Sequence, residues 1–319
     1  MTRPAPRPRA RLGVAVLIVA ALTGCGDDRT TSAPEAKPRV AGSRVAGSAS
    51  AAHAQAEVTE NIRRLEKERD VRIGAYAIDT GTGRSVGHRA GETFPFASTF
   101  KAMVCAAVLR KARDSDPGLL DRVIRYTGSD LVPYSPVTEK HVTTGMKVAD
   151  LCHAAITRSD NTAANLAMRQ IGGPAGLTAF LRSLEDRVSR ADRWETELNV
   201  WKPGEKRDTT SPRAAAEDLR ALTVGAALAP ADRARLVGWM RASVTGGARI
   251  RAGLPDDWTV GDKTGTGGTY GSANDIAVVH PPSGAPLVIT VFTTRPGPDD
   301  EADEDAIART AGILARALR

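Results

Sequence analysis

The stretch "FPFASTFK", residues 94–101, places a serine three positions before a lysine, where an apolar helical pattern begins. A helix over residues 99–112 would put Ser98 and Lys101 on one face, within reach of each other. A serine hydroxyl becomes a good nucleophile only when a base takes its proton, and a lysine can be that base if its pKa is lowered. The alternative is a helix-capping serine followed by an ordinary surface lysine. The stretch alone leaves both interpretations open.

Strand patterns flank this stretch at both ends of the chain, and helical patterns fill the middle. Apolar residues alternate in "VRIGAYAID" (71–79), with "SVGHRA" (85–90) as a hairpin partner. The last third adds the strand candidates "WTVGDKTG", "ANDIAVVH" and "PLVITVFTT" and a closing helix, "DEDAIARTAGILARALR".

This distribution predicts an α/β protein of the α+β type, in which both chain ends build one antiparallel sheet flanked by helices. We assign residues 57–96 and 251–319 to the sheet lobe and 97–250 to an all-helical lobe. Small-molecule sites commonly lie between such lobes, so we expect the active site in the cleft between them.

The first 56 residues show no globular pattern. Four arginines precede "LGVAVLIVAAL" (12–22), an apolar run typical of a signal peptide and too short to span a bilayer. "LTGC" (22–25) resembles a bacterial lipoprotein signal, which implies cleavage after residue 24 and a lipid on Cys25. The alternative is a plain secretory peptide. Residues 25–56 are rich in Pro, Ala, Gly and Ser and predict a flexible linker.

Composition excludes some partners and points to export. Without the four signal arginines, 40 basic residues face 37 acidic ones, so nucleic acid is not an expected partner. Export leaves Cys105 and Cys152 as an even pair in an oxidising compartment, which favours a disulfide over two buried thiols.

Three further motifs follow the serine and lysine. They are "SDN" (159–161), "RWETELN" (193–199) and "KTG" (263–265), and each alone is weak evidence. The chain has no G-x-S-x-G motif, and none of its five histidines lies in a recognisable metal or triad motif. A lysine or a carboxylate is therefore the expected base for a serine nucleophile.

Together and in this order, the four motifs resemble those of the class A serine β-lactamases, over residues 57–319. The resemblance implies that Ser98 attacks the lactam carbonyl to form an acyl-enzyme. It also implies that Ser159, near Lys101 and Lys263, relays a proton to the leaving nitrogen. The implied activity is hydrolysis of β-lactam antibiotics, which confers resistance.

The resemblance further implies that Glu195 and Asn199 hold the water that frees the acyl group. It leaves open whether Glu195 or Lys101 is the base for acylation. An ion pair between Arg193 and Asp208 would pin the loop that carries Glu195.

Substrate contacts are implied in the same way. Backbone N–H groups of Ser98 and Thr266 would form the oxyanion hole. Lys263, Thr264, Thr266 and Arg249 would receive the substrate carboxylate, and Asn161 its acylamide side chain. The implied substrate-binding residues are Tyr134, Asn161, Arg249, Lys263, Thr264, Gly265 and Thr266.

The resemblance also implies a disulfide between Cys105 and Cys152, no cofactor and no metal. The partners expected are β-lactam substrates and a membrane reached through lipidated Cys25, for a monomer on the extracytoplasmic side or secreted if it is not lipidated.

Two other functions share parts of this pattern. A penicillin-binding D,D-peptidase has the S-x-x-K and KTG motifs but lacks the deacylating glutamate, so "RWETELN" argues against it. A non-catalytic β-lactam sensor lipoprotein would not need Ser98, Lys101 and Glu195 together. Sustained turnover of a β-lactam separates both alternatives from a β-lactamase.

Overall fold

The computed structural model describes residues 42–319, with side chains from residue 50 onward. The α-helices are α1 Gly42–Arg69, α2 Phe100–Asp114, α3 Val148–Thr157, α4 Asn161–Arg169, α5 Gly173–Arg182, α6 Pro212–Thr223, α7 Pro230–Arg241 and α8 Glu304–Leu318. The strands are β1 Arg72–Asp79, β2 Ser85–His88, β3 Phe94–Pro95, β4 Val123–Ile124, β5 Met146–Lys147, β6 Thr209–Thr210, β7 Thr259–Thr266, β8 Ala273–His280 and β9 Leu287–Thr294.

Both ends of the described chain meet in one five-stranded antiparallel sheet of order β2-β1-β9-β8-β7. The last strand, β9, lies at its centre and pairs with β1 from Arg72↔Thr294 to Asp79↔Leu287. All eight residues of β9 are buried, because both faces of the sheet are covered. The predicted α+β fold is confirmed.

Each face of the sheet packs against different helices. On one face, Ile62 and Leu65 of α1 and Leu314 of α8 join Ile73 and Ile289 of the sheet in an aliphatic core. The other face packs against α6 and joins the larger core of the helical part.

Helix α2 runs through the interior of the helical part. Every residue from Phe100 to Leu109 is buried. Its first turn is therefore surrounded by protein on all sides, and the 3₁₀ turn just before it, Ala97–Thr99, adjoins the strand β7. A side chain projecting there meets groups from several elements.

The structure contradicts the predicted linker over residues 42–56. Helix α1 begins at Gly42, so residues 42–56 are helical rather than a flexible tether. Alanine, abundant in this segment, is the strongest helix former. The Gln55 amide also bonds to both backbone groups of Gly87 in β2, at 2.7 and 3.0 Å, so ordered contacts begin before residue 57. The signal peptide, Cys25 and residues 25–41 lie outside the described residues.

Candidate active site

Ser98 lies in a 3₁₀ turn, Ala97–Thr99, immediately before α2. The turn is held against β7, and a Cβ on Gly265 would lie 2.8 Å from the carbonyl oxygen of Phe96 and 3.1 Å from the Ser98 nitrogen. Only glycine permits this approach. Ala97 has a φ of +42°, in the left-handed region that a residue with a Cβ rarely adopts. Such conformations often occur at functional sites.

The Ser98 hydroxyl does not cap the helix. It donates to Oε1 of Glu195 at 3.1 Å, and neither the 3₁₀ turn nor α2 has a side-chain cap. The capping interpretation is therefore wrong. The predicted helix also begins one residue later than expected, at Phe100, which leaves Ser98 in a separate turn.

Lys101 is fully buried and surrounded by acceptors. Its Nζ lies 3.0 Å from Glu195 Oε1 and donates to Asn161 Oδ1 at 2.5 Å and to the Ser159 carbonyl at 2.9 Å. Burial lowers the pKa of Lys101, and the opposing charge of Glu195 only partly restores it. A lysine in this state can exchange a proton with its neighbours.

Glu195 is held through both its carboxylate and its backbone. Its Oε2 accepts from Asn199 Nδ2 at 2.6 Å, while Oε1 faces Ser98 and Lys101. The Asn165 side chain bonds to its backbone N–H at 3.0 Å and to its carbonyl at 2.9 Å. Asn165 was not predicted, although its position four residues after Asn161 places both on one face of α4.

The loop around Glu195 is anchored as predicted. Arg193 Nε donates to Asp208 Oδ2 at 2.6 Å, and Asp208 is fully buried. Its Oδ1 also accepts from the backbone N–H groups of Asp192 and Arg193, at 2.8 and 3.0 Å. One carboxylate thereby joins the two ends of the loop, which we call the catalytic loop (residues 193–208).

Ser159 stands between the two buried lysines. Its Oγ accepts from Lys263 Nζ at 3.0 Å and lies 3.4 Å from Lys101 Nζ. Burial, followed by the charge of Lys101, lowers the pKa of Lys263 to about 7. Ser159 has a φ of +56° and lies between α3 and α4, which projects its side chain toward both lysines.

Arg249 is buried behind the end of β7. Its guanidinium donates to Glu304 Oε1 at 2.9 Å, to the carbonyls of Gly265 and Asn274 at 2.8 Å each, and to Thr266 Oγ1 at 2.7 Å. The positive charge thus lies beside Thr266. Thr264 pairs with Thr245 through their hydroxyls at 2.6 Å.

Two further predicted residues lie at the edge of this cluster. Asn161 Nδ2 donates to the carbonyl of Pro133 at 2.8 Å. Its backbone N–H bonds to the Tyr134 carbonyl at 3.0 Å. The Tyr134 side chain is 63% exposed, so its ring is free to contact a ligand.

The predicted disulfide is absent from this structure. Cys105 and Cys152 are free, buried thiols. The Cys105 thiol donates to the carbonyl oxygen of Cys152 at 3.6 Å, so the two cysteines are neighbours.

The family of proteins that matches this chain is the β-lactamase enzyme family, over residues 57–318. The carbapenem-hydrolyzing β-lactamase KPC of Klebsiella oxytoca is 51% identical over 261 residues, covering 82% of this chain and 89% of that protein. The β-lactamase of Streptosporangium roseum is 59% identical with a TM-score of 0.82, covering 82% of this chain and 98% of that structure. A class A β-lactamase representing the last common ancestor of Gram-negative bacteria is 52% identical with a TM-score of 0.79, covering 82% and 99%.

The chain belongs to the class A β-lactamase family. It is a hydrolase of β-lactam antibiotics that acts through a serine acyl-enzyme and confers resistance. The alternatives of a D,D-peptidase and a non-catalytic sensor are not supported.

Across residues 42–319, the helices are either too short or too polar to cross a bilayer. In the same part of the chain, His, Cys, Asp and Glu side chains form no cluster of three or more that could hold a metal ion.

Proposed function

We propose that Ser98 is the nucleophile of this β-lactamase and that Glu195 and Asn199 direct the water that releases the acyl group. The observation that carries the proposal is the position of the Glu195 carboxylate, which accepts from Ser98 with one oxygen and from Asn199 with the other. Asn199 Oδ1 is buried without a partner among the described residues, so it is available as a second acceptor for that water.

In the acylation step, the Ser98 hydroxyl proton passes to Glu195 or Lys101 as Oγ attacks the lactam carbonyl carbon. The carbonyl oxygen gains negative charge, which backbone N–H groups of Ser98 and Thr266 stabilise. The carbon–nitrogen bond of the ring then breaks. Ser159 delivers a proton to the leaving nitrogen and regains one from Lys101 or Lys263, both within 3.4 Å of its Oγ.

In the deacylation step, Glu195 takes a proton from water, and the resulting hydroxide attacks the ester carbon. The ester bond breaks, and the proton returns to Ser98 Oγ. Because the Glu195 carboxylate lies 3.1 Å from Ser98 Oγ, it is close enough to serve both steps.

The substrate carboxylate is proposed to lie at the end of β7. Lys263 and Arg249 supply positive charge, and Thr264 and Thr266 supply hydroxyl donors. Because an arginine side chain can only donate hydrogen bonds, the Thr266 hydroxyl oxygen accepts from Arg249. The Thr266 hydroxyl proton is then free to point at the substrate. Asn161 and Tyr134 are proposed to contact the acylamide side chain.

The test compares Glu195→Ala with Ser98→Ala on benzylpenicillin and nitrocefin. We expect Glu195→Ala to acylate but to release product about 10³-fold more slowly, because the water loses its base. Mass spectrometry should then show a mass increase of one intact penicillin per enzyme. Ser98→Ala should show no adduct. Rapid turnover by Glu195→Ala, or labelling of Ser98→Ala, would refute the assigned roles.

We also propose that the enzyme is exported as a monomeric lipoprotein with lipid on Cys25, supported by the "LTGC" sequence at residues 22–25. Cells expressing the full chain and fed a fatty-acid analogue should incorporate the label, and Cys25→Ser should abolish it. Equal labelling of both chains would refute lipidation. Light scattering of the purified enzyme should give the monomer mass, and a dimer mass would refute that part.

We further propose that Cys105 and Cys152 join once the enzyme is exported, since both thiols are buried next to each other. Unfolding exported enzyme with an alkylating reagent should then leave both cysteines unmodified unless a reductant is added. Alkylation without a reductant would show that they remain thiols.

A further inference from the structure

The catalytic loop touches the turn between β7 and β8, residues 267–272. The Gly268 N–H donates to the carbonyl of Asn199 at 2.9 Å. A Cβ at Gly267 or Gly268 would lie 3.5 or 3.6 Å from that same oxygen. The turn therefore approaches the backbone of Asn199 closely.

A single hydroxyl strengthens this contact. Thr269 Oγ1 accepts from the backbone N–H of Trp201 at 3.2 Å and donates to the carbonyl of the same residue. The Trp201 side chain is buried, with its ring edge-on to Tyr270 at 5.8 Å. Both backbone groups of one loop residue thus depend on the Thr269 side chain.

This contact leads directly to the reacting groups. Trp201 is two residues from Asn199, and the Asn199 amide donates to Glu195 Oε2 at 2.6 Å. The Asn199 side chain has no other protein partner, since its Oδ1 is unbonded within the described residues. Its direction is therefore set by the backbone that the turn holds.

We infer that Thr269 is a positioning residue for deacylation: by fixing Trp201, it holds Asn199 and Glu195 where they direct the hydrolytic water. The inference rests on the proposed function of Glu195 and Asn199. Thr269 itself acts only through the loop. Acylation has Lys101, on α2, as a second candidate base beside Glu195 and does not use the water that Asn199 is proposed to hold, so it should be much less sensitive to Thr269.

The chain contains a matched control. Thr178 Oγ1 accepts from the backbone N–H of Ala191 at 2.9 Å and donates to its carbonyl at 3.1 Å. Thr178 thus makes the same pair of hydrogen bonds as Thr269, but to a residue that precedes the catalytic loop. The next residues, Asp192 and Arg193, are held separately by Asp208. Thr178→Val therefore removes equivalent hydrogen bonds without releasing Asn199.

The experiment measures acylation and deacylation rate constants of the full enzyme with benzylpenicillin, by rapid-quench mass spectrometry. We expect Thr269→Val to lower the deacylation constant about tenfold, since small displacements of positioned groups cost this much or more. Acylation should change less than twofold, so kcat and KM fall together and acyl-enzyme accumulates. Thr269→Ser restores the hydroxyl and should keep both constants. Thr178→Val should also leave deacylation within twofold.

Several outcomes would overturn the inference. They are unchanged deacylation in Thr269→Val, an equal loss in Thr178→Val, or an equal loss in Thr269→Ser. If Thr269→Val does not fold, Thr269→Ala takes its place with the same expectations. An unsubstituted enzyme that turns over penicillin without any acyl adduct would instead refute the proposed function, which separates the two failures.

Discussion

Two buried regions of this β-lactamase differ in what they contain. Beneath α1 and α8, the sheet packs Ile73 and Ile289 against Leu65 and Leu314, all aliphatic. Where the sheet meets the helical part, Lys101 and Lys263 are just as buried, but they are ionisable. The first region stabilises the fold through apolar burial, whereas the second places desolvated charges, which oppose stability, beside the proposed nucleophile.

Buried ionisable groups distinguish the second region from the first. Burial lowers the pKa of both lysines, which is unfavourable for folding but useful for proton transfer. Left-handed backbone also occurs in the second region, at Ala97 and Ser159. Substitutions in the aliphatic region should therefore lower the stability of the fold, and substitutions of the buried lysines should lower activity. The following experiments test this difference.

The largest effect is expected from Lys101→Met, which removes the buried ammonium but keeps a long side chain. Without it, Ser98 and Ser159 lose a proton-transfer partner, and we expect the acylation rate constant to fall about 10³-fold. Stopped-flow measurement with nitrocefin checks the rate, and circular dichroism checks that the variant is folded. A folded variant within tenfold of the original rate would contradict the role of Lys101.

Ile289→Ala tests the aliphatic region. The side chain is fully buried on the central strand, so its loss should cost about 3–4 kcal/mol of unfolding free energy. Urea unfolding measures the loss, while kcat/KM at 20 °C should stay within twofold. A lower kcat/KM in fully folded Ile289→Ala would show that the aliphatic region also affects activity.

Asp218→Asn tests a buried acid outside both regions, on α6. Burial, and then the charge and hydrogen bond of Asp186, raise the pKa of Asp218 to about 9. The native state therefore keeps a proton that the unfolded chain releases above about pH 4, so this group destabilises the fold increasingly as pH rises from 4 to 9. Asparagine stays neutral and can still donate to Asp186.

We therefore expect Asp218→Asn to be more stable than the original enzyme, by on the order of 3 kcal/mol at pH 7. The gain should grow between pH 5 and pH 9 when thermal unfolding is followed across this range. A gain that is constant with pH would mean that Asp218 is already ionised in the native state.

The smallest effect concerns Lys263. Its pKa of about 7 means that the free enzyme loses this positive charge as pH rises through neutrality. The kcat/KM for a carboxylate-bearing β-lactam should fall on that alkaline side, since kcat/KM reports the free enzyme. Lys263→Arg keeps its charge, so its alkaline limb should move up by at least one pH unit. If the alkaline limb of kcat/KM lies at the same pH in both enzymes, the titrating group is not Lys263.

Much of the fold and of the site followed from local patterns. Alternating apolar residues predicted β1 and β7–β9, and the four motifs predicted Ser98, Lys101, Ser159 and Lys263, which the structure brings together. Three of the short motifs succeed here because they lie at or near the end of a strand or helix, where their side chains face a common point, while RWETELN lies on the catalytic loop.

Other features depend on contacts that spacing does not reveal. The bonds of Asn165 to Glu195 and of Thr269 to Trp201 join segments 30 and 68 residues apart. Arg249 was predicted as a carboxylate ligand, but its bonds to Gly265, Asn274 and Glu304 emerge only once the sheet is formed. The predicted end of the linker at residue 56 was wrong, because composition suggested a linker while helix propensity and the bonds of Gln55 favoured order.

The central position of β9 has a consequence for biosynthesis. Until residues 287–294 have left the ribosome, β1 and β8 lack the strand that lies between them. A contact spanning more than 200 residues closes slowly, because the chain must first bring its distant ends together. In nascent chains, the pairs β1–β2 and β7–β8 should therefore join into one sheet only after residues 287–294 emerge, and a premature stop before Leu287 should leave them separate.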